Sequence, residues 1–328
     1  MTSSVARPEK PLLSAVVPFL NEATNLPRLI SELESVFARL DLAWELILID
    51  DGSGDESLEV AKRELRMRPN LQGTVLSLSR NFGKEAALTA GLEAANGDVI
   101  VPLDADLQDP PELIAEMLDQ WRRGYDVVYA VRKRRSGDST TKKLTAQGFY
   151  RLMRWLSSTA IPADTGDFRL MDRCVVDALA KMPERNRFMK GLFAWVGFSQ
   201  ISVEYDRIAR KHGKSAWSYW KLWNFALDGI TSFSRVPLQV LSGSGLLIAA
   251  IAMLYGSWMV LRTILFGIDL PGYASLMTAV LLLGGMQLLG LGMLGEYLGR
   301  VFEEVKQRPL YLVRERWSNK IDTVKVTR

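Results

Sequence analysis

Three short acidic turns hold the residues whose types and spacing could do chemistry. Pro18-Phe19-Leu20-Asn21-Glu22 follows the apolar run Leu12 to Val17, and Asp50-Asp51-Gly52-Ser53 follows Glu45 to Ile49. Asp104-Ala105-Asp106-Leu107-Gln108 follows Val99 to Leu103 and precedes Pro110-Pro111, which opens a helix. A lone acidic pair in a turn commonly does no more than cap a helix. Three such turns at one sheet edge would repel one another unless a cation or a donor-rich ligand sat among them. A divalent metal carrying a diphosphate meets that need. The chain has one histidine, His212, and one cysteine, Cys174. This excludes histidine-rich zinc sites, cysteine clusters and an internal disulfide, and Ser-His-Asp chemistry fits poorly. Any metal must then take oxygen ligands, so Mg²⁺ or Mn²⁺ is the expected ion. Cys174 reads as a buried small hydrophobe.

These turns need a scaffold. Further β-branched runs at Thr74 to Leu78 and Asp126 to Val131 alternate with amphipathic stretches at Leu26 to Leu40, Ser57 to Met67, Ala86 to Ala95 and Pro111 to Trp121. Strand-helix alternation predicts an α/β domain with a mostly parallel, Rossmann-like sheet covered on both faces. Ligands on such sheets bind beyond the carboxyl ends of the strands, where the acidic turns fall. The chain has 328 residues, 48% hydrophobic and 24% charged, which rules out disorder and low complexity. Its net charge of +4 is too mild to argue for a nucleic-acid partner.

The C-terminal third differs in character. Val236 to Leu261 and Leu270 to Gly295 contain no charged residue. Each exceeds the roughly 20 apolar residues that a helix needs to cross a bilayer, so a two-helix transmembrane hairpin is expected. Basic residues precede the first stretch (Lys211, Lys214, Lys221, Arg235) and follow the second (Arg300, Lys306, Arg308, Arg314, Arg316), whereas the loop between them carries Arg262 alone. The positive-inside bias puts both chain ends in the cytoplasm, and Met1 to Pro11 shows no secretory signal. The expected layout is a catalytic domain over 1–210, interfacial helices over 211–235, two spans within 236–298 and a cytoplasmic tail over 299–328. Five aromatic rings between Trp217 and Phe225 suit the headgroup zone. The glycines of the two spans suit close packing, including against further copies of the chain.

The order Pro-x-x-Asn-Glu, Asp-Asp-Gly-Ser, Asp-Ala-Asp-Leu-Gln resembles the GT-A glycosyltransferases of family 2. More narrowly, the chain resembles the polyisoprenyl-phosphate glycosyltransferases, which include dolichol-phosphate mannose synthase and the bacterial undecaprenyl-phosphate glucosyltransferases. Ser79 to Glu85, Gly166 to Arg173, Asn186 to Leu192 and the Gly295-to-Arg300 end of the second span share that likeness. The resemblance implies that Pro18, Asn21, Glu22, Asp50, Asp51, Lys84 and Asp104 bind a UDP-sugar. It implies that Asp104, Asp106 and Gln108 hold the metal, and that Asp106 and Asp167 are catalytic. Arg132, Arg135, Arg210 and Lys214 would meet a polyprenyl phosphate. A multi-pass protein of the inner (cytoplasmic) membrane, assembled as a homo-oligomer, specifically a tetramer, is further implied. One departure stands out: Arg210-Lys211-His212-Gly213-Lys214-Ser215-Ala216 carries Ala216 where the family commonly has Lys.

A lipid phosphate monoester loses its second proton near pH 6, so this acceptor reaches the site already anionic. Transfer should then rest on in-line positioning and on stabilising the leaving diphosphate, in a single inverting displacement, with Asp167 orienting rather than taking a proton. The residues do not fix the sugar. Glucose from UDP-glucose is the leading expectation, with 4-deoxy-4-formamido-arabinose, mannose and N-acetylhexosamine as alternatives. A processive polysaccharide synthase would show Gln-x-x-Arg-Trp, against which Arg151-Leu152-Met153-Arg154-Trp155 lacks the glutamine. A flippase would need polar groups within the spans.

Overall fold

The computed structural model describes residues 7–132, 165–182, 184, 185, 187, 189–205, 236–266 and 272–319. Two compact units divide the chain, one holding the N-terminal domain together with 308–328, the other holding 218–307 with the short stretch 151–158.

In the first unit the expected alternation forms. Strands β1 (Leu13–Phe19), β2 (Trp44–Asp50), β3 (Gln72–Leu78) and β4 (Val99–Pro102) alternate with helices α1 (Leu26–Leu40), α2 (Ser57–Arg66) and α3 (Lys84–Ala94). Helix α4 (Leu113–Arg122), β5 (Val127–Arg132), β6 (Thr165–Asp172), α5 (Arg173–Ala180), α6 (Met189–Trp195) and β7 (Gln200–Tyr205) follow. A final strand, β8 (Val313–Ser318), completes an eight-stranded sheet ordered β7-β5-β6-β4-β1-β2-β3-β8. The β4-β1-β2-β3 block is parallel, as is β5 with β7, whereas β6 and β8 run antiparallel to their neighbours.

Period-2 burial explains the layering. Leu13, Ala15, Val17, Leu46 and Leu48 join one core cluster with Leu29, Leu33 and Phe37 of α1 and Met117 and Trp121 of α4. On the other face α3 lies so close that a Cβ at Gly91 would meet Val16 Cγ1 at 2.4 Å and Ile49 Cδ1 at 2.5 Å. Any larger residue there would require Val16 and Ile49 or the helix itself to shift. Register then sets the site. Phe19 pairs with Asp50, Asp51 N–H donates to the Phe19 carbonyl (3.0 Å) and Leu103 N–H to that of Val16 (2.9 Å), so three strands end together.

Two findings differ from the sequence reading. Within 299–328, expected as a tail, Val313–Ser318 form β8 against β3. Lys62 Nζ contacts Glu315 (3.0 Å), and the Asn319 side chain accepts from Gly73 N–H (2.9 Å). Cys174, expected to be buried, is exposed. It sits in the first turn of α5 beside the N-cap Asp172, whose carboxylate accepts its N–H (2.9 Å), while Val175, Val176 and Leu179 take the inward positions.

In the second unit, helices α7 (Val236–Phe266) and α8 (Tyr273–Lys306) leave large apolar side chains exposed, including Leu254, Trp258, Leu288 and Leu291. Among the described residues one helix, over Leu241–Trp258, is long and apolar enough to cross a membrane.

Candidate active site

The β1 turn is built by backbone capture. Asn21 takes a left-handed conformation (φ 56°), which asparagine tolerates, and its N–H donates to Ser53 Oγ (3.0 Å) while its Oδ1 accepts from Gly54 N–H (2.9 Å). Glu22 N–H donates to Ser57 Oγ (2.8 Å). Pro18 lies buried inside β1, opposite Ile49. The first two acidic turns are thereby tied to each other.

The β2 turn uses its carboxylates internally. Asp50 Oδ1 accepts from Ser53 N–H (2.9 Å) and Oδ2 from Ser77 Oγ (3.0 Å). Asp51, 4% exposed, accepts from Phe82 N–H (2.8 Å) and Gly83 N–H (3.0 Å). Burial raises the Asp51 carboxyl above its ordinary range despite these donors. Gly52 between β2 and this latch has φ +73°, and a Cβ there would meet the Arg80 carbonyl carbon at 2.6 Å. The loop Ser79 to Gly83 is gripped from its other side too. Ser79 N–H donates to the Leu312 carbonyl (2.8 Å), and Arg314 Nη2 donates to the Ser79 carbonyl (2.6 Å).

That loop delivers Lys84, the first residue of α3, into the site. Its ammonium lies 2.6 Å from Asp104 Oδ1 and 2.6 Å from Asp167 Oδ2. Side-chain exposure falls from 46% at Lys84 to 36% at Asp104 and 16% at Asp167. Burial opposes the lysine's charge, but the two carboxylates outweigh it and raise its pKa. Burial likewise disfavours Asp167 as an anion, and Lys84, Lys190 and Arg169 overcome it, holding the carboxyl below its ordinary range. Asp106 Oδ1 accepts from Gln108 N–H (3.2 Å), and Gln108 is buried.

Three charged residues that the sequence reading did not single out surround Asp167. Arg169, 4% exposed, lies 3.7 Å from the Phe193 ring centroid and donates to the Gly166 carbonyl (2.9 Å). Burial pulls its pKa down to about 10. Glu85 is pushed up to about 7 by burial and by the neighbouring Asp167, with Lys84 and Lys190 opposing. Glu85 Oε2 and Asp167 Oδ1 are buried with no hydrogen-bond partner. All three stand in segments whose family likeness is legible, Glu85 in Ser79 to Glu85, Arg169 in Gly166 to Arg173 and Lys190 in Asn186 to Leu192.

Arg132 ends β5 opposite Tyr205 of β7. Arg135, Arg210, Lys214, His212 and the Trp217-to-Phe225 segment lie outside the described residues.

A divalent cation is what the resemblance implies here. Among the described residues no three His, Cys, Asp or Glu side chains group to hold a metal by themselves. Ions such as Mg²⁺ commonly take one or two protein carboxylates and complete their shell with phosphate and water oxygens. Asp104 and Asp106 offer oxygen ligands of that type, and an ammonium already sits on Asp104 as a stand-in cation. The residues fit a hard cation delivered with a diphosphate.

A family model described as glycosyl transferase family 2 matches residues 14–179. An uncharacterized glycosyltransferase of Synechocystis is 53% identical over 306 residues, covering 93% of this chain and 95% of that protein. A prophage-derived bactoprenol glucosyl transferase of Shigella flexneri is 45% identical over 303 residues, covering 92% and 97%. Mannosyl-3-phosphoglycerate synthase from Rubrobacter xylanophilus superposes with a TM-score of 0.46 at 21% identity, covering 72% of this chain and 75% of that one. With its family model seated on the sheet that carries the three acidic turns, and with relatives matching along most of its length, this chain belongs to glycosyltransferase family 2 and is a transferase enzyme.

Proposed function

We propose that the protein transfers a hexose, glucose from UDP-glucose, to polyprenyl (undecaprenyl) phosphate at the cytoplasmic face of a membrane, with inversion at the anomeric carbon. The observation that carries this reading is the Asp104–Lys84–Asp167 bridge at the carboxyl ends of the strands, in a chain 45% identical to a bactoprenol glucosyl transferase. In this reading Asn21, Glu22 and the loop latched by Asp50 and Asp51 form the nucleotide side, with Pro18 backing them. Asp104 and Asp106, with Gln108, would hold Mg²⁺ or Mn²⁺, which would draw charge off the leaving diphosphate. Asp167, kept ionised by Lys84, orients the sugar and the attacking phosphate. Arg132, Arg135, Arg210 and Lys214 are assigned to the lipid phosphate, where guanidinium forks suit phosphate oxygens.

The pairing of β3 with β8 supports an even number of membrane crossings. Both strands belong to one sheet, so the chain segment between them must return to the side it left. A hairpin of α7 and α8 satisfies this, and a single crossing does not. Both termini are then cytoplasmic, in a multi-pass protein of the inner membrane, and assembly as a homo-oligomer, specifically a tetramer, completes the reading.

The test is transfer itself. Purified full-length protein with radiolabelled UDP-glucose, Mg²⁺ and undecaprenyl phosphate should move label into an organic-extractable lipid. Label that stays aqueous, or enters a water-soluble polymer, contradicts the proposal. Replacing UDP-glucose by other nucleotide sugars in the same assay identifies the donor.

A further inference from the structure

We infer that Lys84 is a built-in competitor for the metal position and makes cation binding depend on arrival of the donor's diphosphate. This rests on the reading that Asp104 and Asp106 receive a divalent cation. Lys84 Nζ stands 2.6 Å from Asp104 Oδ1, so the ammonium already takes up an acceptor position on the oxygen that a metal ion would use. The two cations also repel. Metal entry is therefore opposed for as long as Lys84 holds Asp104.

The lysine is placed to do so. Its stem is a flexible four-carbon chain, its side chain is 46% exposed, and its root is fixed by the Asp51 grip on Phe82 and Gly83. The head can swing while the backbone stays. Its second contact, Asp167 Oδ2, lies at 2.6 Å on another strand, so the ammonium keeps one carboxylate after losing the other. Arg169 and Lys190 also act on Asp167, and that anion is thus already well supplied with positive charge. A bare cation displaces Lys84 from Asp104 with nothing offered in return. A cation bound with a diphosphate brings an anion that can replace the lost partner. Metal and nucleotide consequently bind with positive, reciprocal coupling through one side chain. The same side chain links the metal position to Asp167, so donor arrival is sensed at the residue that orients the reaction.

The experiment measures Mn²⁺ binding to full-length protein by electron paramagnetic resonance of the free ion, with and without saturating UDP. Wild type should bind bare Mn²⁺ weakly and gain at least about tenfold with UDP. Lys84→Met should bind bare Mn²⁺ several-fold more tightly than wild type and gain less from UDP. Lys84→Arg, which keeps the charge, should behave nearly as wild type, with the thermal transition of both variants confirming the fold. Lys190→Met removes a nearby positive charge without a contact to Asp104, and should raise bare Mn²⁺ affinity much less than Lys84→Met. If wild type takes up Mn²⁺ with UDP but Lys84→Met shows no gain in bare affinity, or no larger gain than Lys190→Met, this inference falls alone. If wild type takes up no Mn²⁺ even with UDP, the metal reading falls and the inference falls with it.

Discussion

Two carboxylate pairs stand at the same sheet edge and are used in opposite ways. Asp50 and Asp51 after β2 are buried, and their oxygens are taken by the Ser53, Phe82 and Gly83 N–H groups and the Ser77 hydroxyl. Asp104 and Asp167, on β4's turn and β6, share one lysine ammonium. The first pair is held by three backbone N–H groups and one buried hydroxyl, and fixes a loop in turn. The second is bridged by one ammonium on a flexible stem, which a ligand can exchange, with Lys190 and Arg169 adding charge at Asp167 alone. Residue type is the same in both. What differs is whether the partner can leave, and under the proposed function that would separate the scaffold of the site from its working part.

The sharpest way to break this contrast is Asp106→Asn. It removes a carboxylate from the working part and should lower transfer by about 10²–10³-fold with the thermal transition unmoved. Full transfer in excess EDTA would defeat the same claim. Asp51→Ala acts on the scaffold. It strands two N–H groups, and chemical denaturation should show a loss of about 1–3 kcal/mol.

Glu85 lies between the two regimes and sharpens the contrast through pH. Its folded pKa of about 7 exceeds the ordinary value of 4.5. Between those values the folded state holds more protons than the unfolded state, so this group's contribution to stability falls as pH rises from 4.5 towards 7. Glu85→Gln should flatten that slope and gain on the order of 1–2 kcal/mol over wild type at pH 8, read from denaturation at several pH values. Arg314→Ala removes one grip on the Ser79 loop and should cost least, about 0.5 kcal/mol. A loss as large as that of Asp51→Ala would show that the loop depends on β8 as much as on the Asp51 latch.

The parallel half of the sheet was legible in the sequence because its signals are local. Strands β1, β2 and β4 are short apolar runs, and α1 has the expected span Leu26–Leu40, with proline in its first turn. Strand β8 was not legible. Val313–Ser318 alternates charges on an exposed edge, and its partner lies far back in the chain. Strand β6 escaped because Asp167, Arg169 and Asp172 break its apolar pattern. The acidic turns Asp50-Asp51 and Asp104-Ala105-Asp106 could be read from their place after apolar runs, whereas Asp167 came from the family resemblance. The division of labour between them could not, since it depends on which N–H groups and which lysine the fold brings to each carboxylate. Glu85 and Arg169 were missed for the same reason: their shifted pKa values come first from burial, which the fold alone supplies.

Under the proposed function the Asp104 carboxylate works in transfer whereas Asp51 holds the loop. This central claim is tested most directly by measuring glucose transfer to undecaprenyl phosphate per folded molecule, alongside the thermal transition, for Asp104→Asn and Asp51→Asn in parallel. The structure predicts that Asp104→Asn abolishes transfer at an unchanged transition temperature, while Asp51→Asn lowers the transition and keeps measurable transfer in the molecules that remain folded. The reverse pattern, transfer surviving in Asp104→Asn with a lowered transition, would contradict it.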